Sequence, residues 1–165
     1  MTAEMPTYVL DRVFDAPREL VLRAWTDPKL IPRWYGPGVE SIVHRHELKP
    51  GGLWLHEMRW PGNAKYERIE FTEVTPPQRL AWLQATANAQ WEPEAAPTMS
   101  DWPRTLATVV TFTADGARTR LKLTWTPHDA TAAEVACFAM ALKQLDKGWG
   151  AGMQLLEKLL AELQA

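Results

Sequence analysis

The sequence predicts an α+β domain in which a curved antiparallel sheet of about six to seven strands wraps around a long C-terminal helix. Three observations favour this fold. Between residues 39 and 126, apolar and polar side chains largely alternate in short segments separated by turn residues, which is typical of antiparallel strands. From Thr131 onward, apolar residues recur every three or four positions, which is the period of an α-helix. No repeat or linker divides the 165 residues, so we expect one domain over residues 1–165.

The chain opens with a predicted strand over residues 7–14, and two short helices follow it. Pro17 suits the first turn of a helix, with Asp15 or Ala16 at the cap position before it. A second short helix is expected to run through Trp34, where glycine and proline residues end it. The first strand is therefore followed by a small helical segment and then by the main run of strands.

The middle of the chain predicts six further strands, which are joined by short turns in most places. Lys-Pro-Gly-Gly at residues 49–52 and Asp-Gly at residues 115–116 are typical of hairpin turns. The expected strands cover residues 39–48, 53–60, 64–74, 79–86, 105–113 and 119–126. One connection, residues 88–103, is long and rich in proline. It is interpreted as a lid over a pocket, as a surface loop that packs two tryptophans on the sheet, or as a dimer contact.

The last element is a helix of roughly thirty residues, which is long for a globular domain. Thr131 or Asp129 can cap its start. Gly148, Gly150 and Gly152 interrupt the pattern, and each costs about 1 kcal/mol relative to alanine inside a helix. These glycines therefore predict either a kink or close packing of the backbone at this point.

Composition excludes several classes of protein. The net charge of −2 and the pI near 6.1 argue against nucleic-acid binding. No apolar segment is long enough to span a membrane, and the N-terminus lacks the features of a signal peptide, so we expect a soluble cytoplasmic protein. The single cysteine, Cys137, is expected to be a small buried hydrophobe on a helix face rather than a nucleophile. No phosphate loop or dinucleotide motif is present, so no cofactor is expected.

The hairpin around residues 49–52 predicts which side chains face the helix. The expected cross-strand pairs are His46 with Trp54, His44 with His56, and Ile42 with Met58. This face carries no charged residue, and burial of the several charges on the opposite face would be costly, so we expect it to line the interior. The predicted ligand-binding wall consists of aromatic, apolar and imidazole side chains: His44, His46, Trp54, His56, Met58, Trp60, Trp82, Phe112, Leu123 and Trp149.

Three hypotheses remain open for the histidines. His44, His46 and His56 could form a metal site, although the usual closely spaced cysteine and histidine pattern is absent, and no metal is expected. They could hold a polar group of a ligand or act as an acid or base in an apolar cavity. They could also be hydrogen-bonded residues with a structural role.

Several separated motifs are similar to one known superfamily. They are Phe-Asp-Ala-Pro-Arg-Glu-Leu-Val at residues 14–21, Ala-Trp-Thr-Asp-Pro at 24–28, Arg-Trp-Tyr-Gly-Pro at 33–37, Leu-Lys-Pro-Gly-Gly at 48–52, Glu-Val-Thr-Pro-Pro-Gln-Arg-Leu at 73–80, and Lys-Gly-Trp at 147–149. Together they resemble the START-like (SRPBCC) superfamily, and in particular the family named for the activator of the heat-shock-protein-90 ATPase. The resemblance runs from about residue 7 to residue 163.

The resemblance implies a helix-grip fold with a deep hydrophobic cavity. Members of the superfamily bind lipids, sterols, polyketides or other apolar ligands, and some are cyclases, aromatases or hydrolases. The family has no universal catalytic motif, so the resemblance identifies no catalytic residue. The leading hypothesis is that the protein binds a small hydrophobic ligand. The expected partners are that molecule and, in a homodimer, a second copy of the chain.

Two alternatives stay open. The protein could be an enzyme of cyclase or hydrolase type that uses His44 or His56 as acid or base in the same cavity. It could also be a chaperone cofactor, as the family name suggests, although the additional N-terminal domain of that cofactor has no counterpart in this sequence.

Overall fold

The computed structural model describes residues 5–165, and seven strands in this range form one antiparallel sheet. The strands are Tyr8–Phe14 (β1), Glu40–His46 (β2), Leu53–Trp60 (β3), Asn63–Thr75 (β4), Arg79–Ala87 (β5), Thr105–Asp115 (β6) and Arg118–Pro127 (β7). Their order across the sheet is β1-β7-β6-β5-β4-β3-β2, so the first two strands of the chain form its two edges. The α+β fold class predicted from the alternating pattern is confirmed.

Two helical segments follow β1. The first is an α-helix, Arg18–Thr26 (α1), and the second is a single 3₁₀ turn, Ile31–Arg33. Pro17 occupies the cap position of α1 rather than its first turn, because its backbone is extended, with φ −68° and ψ 153°. Two short helical segments after β1 were expected, but the start of the first was placed one or two residues too early.

The long C-terminal helix consists of Ala132–Ala141 (α2), a 3₁₀ turn at Leu142–Gln144, and Leu145–Leu163 (α3). Thr131, and not Asp129, caps it. The Thr131 hydroxyl accepts a hydrogen bond from the backbone N–H of Glu134 at 3.1 Å, and the Glu134 carboxylate accepts one from the backbone N–H of Thr131. This reciprocal pair satisfies two N–H groups that a helix start otherwise leaves without a partner.

The glycines of the C-terminal helix do not produce the predicted kink. The helix tightens at Leu142–Gln144, before the glycines, and stays α-helical through Gly148 and Gly150. The alternative prediction, close backbone packing, is confirmed at Gly152. A Cβ added there would lie 3.4 Å from the backbone oxygen of Trp34. Gly152 therefore lets α3 approach the segment after α1.

A single apolar core lies between the sheet and the helices α1 and α3. Its largest members are buried aromatic side chains: Phe14, Trp25, Trp34, Trp54, Phe71, Trp82, Phe112 and Phe138. The rings contact one another within the core: the centroids of Trp54 and Trp82, both on the sheet, lie 5.7 Å apart, and those of Trp25 on α1 and Trp82 lie 6.2 Å apart. Tilted and edge-to-face arrangements at such distances are favourable for aromatic pairs.

A bulge in β2 alters the predicted pairing of β2 with β3. The register shifts between Val43 and Arg45, which leaves His44 as the extra residue. His46 pairs with Trp54 as predicted, but Val43 pairs with His56 where His44 was expected. Beyond the bulge, Ile42 pairs with Glu57, Ser41 with Met58 and Glu40 with Arg59, so the predicted pairing of Ile42 with Met58 is wrong. The cause is the inserted residue, since one extra position exchanges the faces of a strand.

No helix within residues 5–165 is long and apolar enough to cross a membrane. Cys137 lies on α2, where it is half-buried, which is more exposure than the predicted buried position implies.

Candidate functional site

A cavity of about 270 Å³ lies between the beginning of α3 and one end of the sheet. The segment after the 3₁₀ turn closes one side, and β3, β4 and β7 contribute the floor. Most of the wall is apolar or aromatic, formed by Trp34, Tyr35, Met58, Trp125, Leu145 and Trp149. The rings of Trp125 and Trp149 meet edge to face with centroids 5.2 Å apart, and Tyr35 meets Trp149 in the same way at 6.3 Å.

The helix α3 presents one face to this cavity. Leu145, Gly148, Trp149 and Gly152 all line it, and their spacing of three and four residues places them on the same side of the helix. A Cβ added at Gly148 would meet no atom within 4 Å. Part of the cavity therefore exists because Gly148 has no side chain to occupy it.

A buried carboxylate, Glu67, forms the polar part of the cavity floor. Glu67 lies on β4 in alternation with Ile69 and Phe71, which face the core, and only 5% of the residue is exposed. The Tyr35 hydroxyl donates a hydrogen bond to Oε2 of Glu67 at 2.6 Å, and the Gln84 amide donates one to the same oxygen at 3.1 Å. These donors replace the water that a carboxylate loses on burial.

The partners of Glu67 are themselves held in place. The indole N–H of Trp82 donates to the amide oxygen of Gln84 at 3.3 Å, which orients the amide nitrogen toward Glu67. Burial, and then the Glu67 carboxylate, raise the pKa of Tyr35 well above its usual value. The Tyr35 hydroxyl therefore stays protonated and acts as a donor.

A second groove, of about 480 Å³, adjoins the cavity and shares Lys65, Gln144 and Leu145 with it. Its outer wall comes from the loop after β5, through Met99 and Trp102. Trp102 also packs on Phe138 of α2, with ring centroids 5.5 Å apart. The predicted lid over residues 88–103 thus lies beside the cavity, and its opening or closing stays a prediction.

Apart from the three histidines, the predicted site residues fall into three groups in the structure. Met58 and Trp149 line the cavity. Four others are almost completely buried within the core: Trp54, Trp82, Phe112 and Leu123. Trp60 is 40% exposed and borders the second groove instead. A role in ligand binding remains a prediction for each of these residues.

His56 is fully buried behind Tyr35, with the two ring centroids 4.7 Å apart. Its Nδ1 accepts a hydrogen bond from the indole N–H of Trp54 at 3.3 Å, which places the imidazole proton on Nε2. Nε2 is buried and has no hydrogen-bond partner among residues 5–165. Burial lowers the pKa of His56 to about 4, although Glu67 acts in the opposite direction, so the ring is neutral at pH 7.

His44 does not face the interior, and this prediction is wrong. Its Nε2 lies 2.7 Å from the carboxylate of Glu57, on the face of the sheet opposite His56. Its ring also meets Trp91 at 5.3 Å, so that Trp91 packs on the outside of the sheet. The bulge is the reason, because His44 is its extra residue and its side chain lies on the outer face of the sheet.

His46 is half-buried against the core rather than in the cavity. Its ring centroid lies 5.7 Å from those of Trp54 and Phe71, and burial lowers its pKa. The three histidines are therefore separated, and no cluster of three or more potential metal-binding side chains occurs in the part of the chain that the structure describes.

The sequence interpretation missed the most polar part of the cavity. Glu67 could have been found, because Ile69 and Phe71 on the same strand predict an inward alternation that includes it. Gln84 stands in the same relation to Trp82 on β5. Tyr35 follows a 3₁₀ turn without a repeating pattern, so no local signal indicates where its hydroxyl points.

A curved antiparallel sheet that closes on a long C-terminal helix, with a cavity between them, defines a protein of the START-like (SRPBCC) superfamily. Within it, the chain belongs to the family described as Activator of Hsp90 ATPase homolog 1-like proteins, whose family model matches residues 15–161. The expectation from the sequence motifs is thereby confirmed.

Solved structures with the same fold come from several bacteria. A protein from Nitrosomonas europaea is 27% identical with a TM-score of 0.72, and the match covers 99% of each chain. Protein Ms6760 from Mycobacterium smegmatis is 24% identical with a TM-score of 0.77, over 93% of this chain and 90% of that one. A protein from Arthrobacter aurescens is 22% identical with a TM-score of 0.78, over 94% and 86%. A search of curated proteins found no match to the sequence.

Proposed function

We propose that this protein binds a small, largely apolar molecule in the cavity between the sheet and α3. The observation that carries this proposal is the space beside Gly148, which is lined by aromatic side chains and has one buried carboxylate at its floor. Small-molecule sites are typically concave and apolar, with a few polar groups that fix orientation. A helix interior that keeps a glycine at a cost of about 1 kcal/mol is consistent with a need for this space.

The size of the cavity indicates a small ligand. At about 270 Å³ it lies near the lower end of the usual range for ligand sites, which is roughly 300–1,000 Å³. Burial of apolar surface would contribute roughly 25 cal/mol per Å² before the cost of ordering the ligand. A longer molecule would have to extend past Leu145 into the second groove, which the loop at residues 88–103 borders.

The geometry does not support the alternative that the protein is an enzyme with His44 or His56 as its acid or base. His44 faces away from the cavity, and His56 is covered by Tyr35. The chaperone-cofactor alternative rests on the family description, and no feature of the described surface favours it.

A matched pair of helix variants tests the binding proposal. Gly148→Leu adds a side chain at the cavity lining, where the added Cβ would meet no atom within 4 Å, and it should occupy part of the space. Gly150→Leu makes the same substitution two residues further along the helix, at a position outside the cavity lining. The Cβ added there also meets no atom within 4 Å. Both variants replace a helical glycine and should fold at least as well as the wild type.

The measurement is isothermal titration calorimetry with the uncharged probe 4-phenylbutan-1-ol. We expect Gly148→Leu to weaken binding about tenfold or more, the equivalent of about 1.4 kcal/mol, and Gly150→Leu to leave it unchanged. Equal affinity in the wild type and Gly148→Leu would contradict the proposal. So would a wild-type protein that neither binds the probe nor retains any small molecule in a native mass spectrum.

A further inference from the structure

The two oxygens of the Glu67 carboxylate have different surroundings. Oε2 accepts the hydrogen bonds from Tyr35 and Gln84. Oε1 has only Lys65 nearby, with Nζ at 3.4 Å, and this ion pair does not have hydrogen-bond geometry. Within residues 5–165, Oε1 is therefore an acceptor without a hydrogen-bond donor, and the one cation beside it, Lys65, is not held in hydrogen-bond geometry.

The two partners of this ion pair differ in exposure. The side chain of Glu67 is 7% exposed, whereas that of Lys65 is 48% exposed. The half-exposed lysine keeps part of its contact with water, whereas the carboxylate beside it is buried. Lys65 can turn into solvent when another cation takes its place at Oε1, because the buried carboxylate then keeps a compensating charge.

Aromatic rings surround the same space. Trp34, Tyr35, Trp125 and Trp149 line the cavity that contains Glu67. The faces of such rings attract cations, and tryptophan does so most strongly. A buried carboxylate beside aromatic rings is a combination suited to a cationic group on an apolar body.

We propose that the ligand is a primary amine with a small apolar or aromatic body, and that its ammonium group binds Oε1 of Glu67 in place of Lys65. This inference rests on the proposed function, since it assigns the polar end of the same ligand. The amine donates to Oε1, the body of the ligand packs among the tryptophans, and Lys65 turns into solvent at the mouth of the cavity.

An anionic ligand is the competing occupant. Lys65 and the indole N–H of Trp125, which is buried and has no partner in the described chain, could bind a carboxylate. The charge of Glu67 argues against it, because an anion in this cavity would lie near that carboxylate and be repelled by it.

Three probes with the same body and different charge test the inference by calorimetry at pH 7: 4-phenylbutylamine, 4-phenylbutan-1-ol and 4-phenylbutyrate. We expect the amine to bind about tenfold or more tightly than the other two, because hydrogen bonds to charged groups are stronger than neutral ones. Glu67→Gln should remove this preference, so that the amine and the alcohol bind that variant with similar affinity. Glu70→Gln, on the same strand but outside the cavity lining, should retain the preference.

A second variant keeps the test decisive if Glu67→Gln folds poorly. Lys65→Met removes the competing cation and should increase the affinity for the amine while it decreases that for the acid. Equal binding of the three probes, or tightest binding of the acid, would overturn the inference and leave the proposed function intact. Binding that Gly148→Leu does not weaken would overturn both.

Discussion

The interior beside helix α3 has two regions with similar aromatic walls, of which one is filled by side chains and the other is open. Along one half, Met153, Leu156 and Leu160 of α3 pack on the sheet aromatics and leave a filled core. Along the other half, Gly148 and Gly152 face equally aromatic walls, and a cavity of about 270 Å³ remains. Nine tryptophans do not by themselves make a pocket. The size of the side chains on the facing helix decides whether the space is filled.

The largest effect should come from a truncation in the filled core. Phe112 is 1% exposed and its ring lies 6.3 Å from that of Trp25. Phe112→Ala should lower the free energy of unfolding by about 3–5 kcal/mol, because it removes buried contacts and leaves a new void. Urea denaturation monitored by circular dichroism gives this value.

A truncation in the cavity wall provides the comparison. Met58→Ala should cost only about 1 kcal/mol, because Met58 is half-buried and its removal enlarges a space that already exists. If Met58→Ala destabilises the protein as strongly as Phe112→Ala, the two regions are not differently packed.

An intermediate effect should follow from the pH dependence of stability near the boundary of the two regions. The pKa of His56 falls from its usual 6.5 to about 4 in the folded protein. Above pH 6.5 the ring is neutral in both states, so it adds no pH dependence. Between pH 6.5 and pH 4 the unfolded chain binds the proton and the folded chain does not, so stability decreases by about 3 kcal/mol.

Urea denaturation at a series of pH values measures this loss, and proton NMR of the His56 ring follows its titration. His56→Gln should remove most of the loss between pH 6.5 and pH 4, whatever its effect on stability at pH 7. A wild-type slope that persists in His56→Gln would show that other groups cause it.

The smallest effect should separate the glycines of α3. Gly148→Ala should stabilise the protein by about 1 kcal/mol, because it adds helix propensity and its Cβ meets open space. Gly152→Ala should stabilise less, because its Cβ would lie against the backbone oxygen of Trp34 at 3.4 Å. Thermal unfolding of the two variants makes the comparison. Equal gains would mean that the close approach at Gly152 has no energetic consequence.

Much of the fold could be predicted from local patterns. Alternation predicts the strands, and seven are present within residues 5–165. The 3.6-residue period and a capping residue, Thr131 or Asp129, predict where the last helix begins, and the structure identifies Thr131 as the cap. These signals are local, because strand alternation and helix caps depend on residues only a few positions apart.

The candidate site was predicted less well, and the reason is specific. The hairpin turn correctly predicts that His46 of β2 pairs with Trp54 of β3. Nothing in the sequence marks the bulge at His44, which reverses the faces of β2 beyond it. Glu67 was overlooked although Phe71 and Ile69 indicate its face. Trp82 and Phe112 were expected at the cavity, but they are buried in the core, because alternation predicts which face is inner and not how far α3 lies from it.

The sequence alone determined the fold class, the family and the existence of an aromatic inner face, since each follows from short-range periodicity or from ordered motifs. Only the tertiary structure decided which part of that face is filled and which is open. That outcome depends on where α3 crosses the sheet and on which of its side chains are missing at the crossing. The carboxylate of Glu67 becomes a candidate anchor only when Tyr35 and Gln84, distant in the sequence, meet it there.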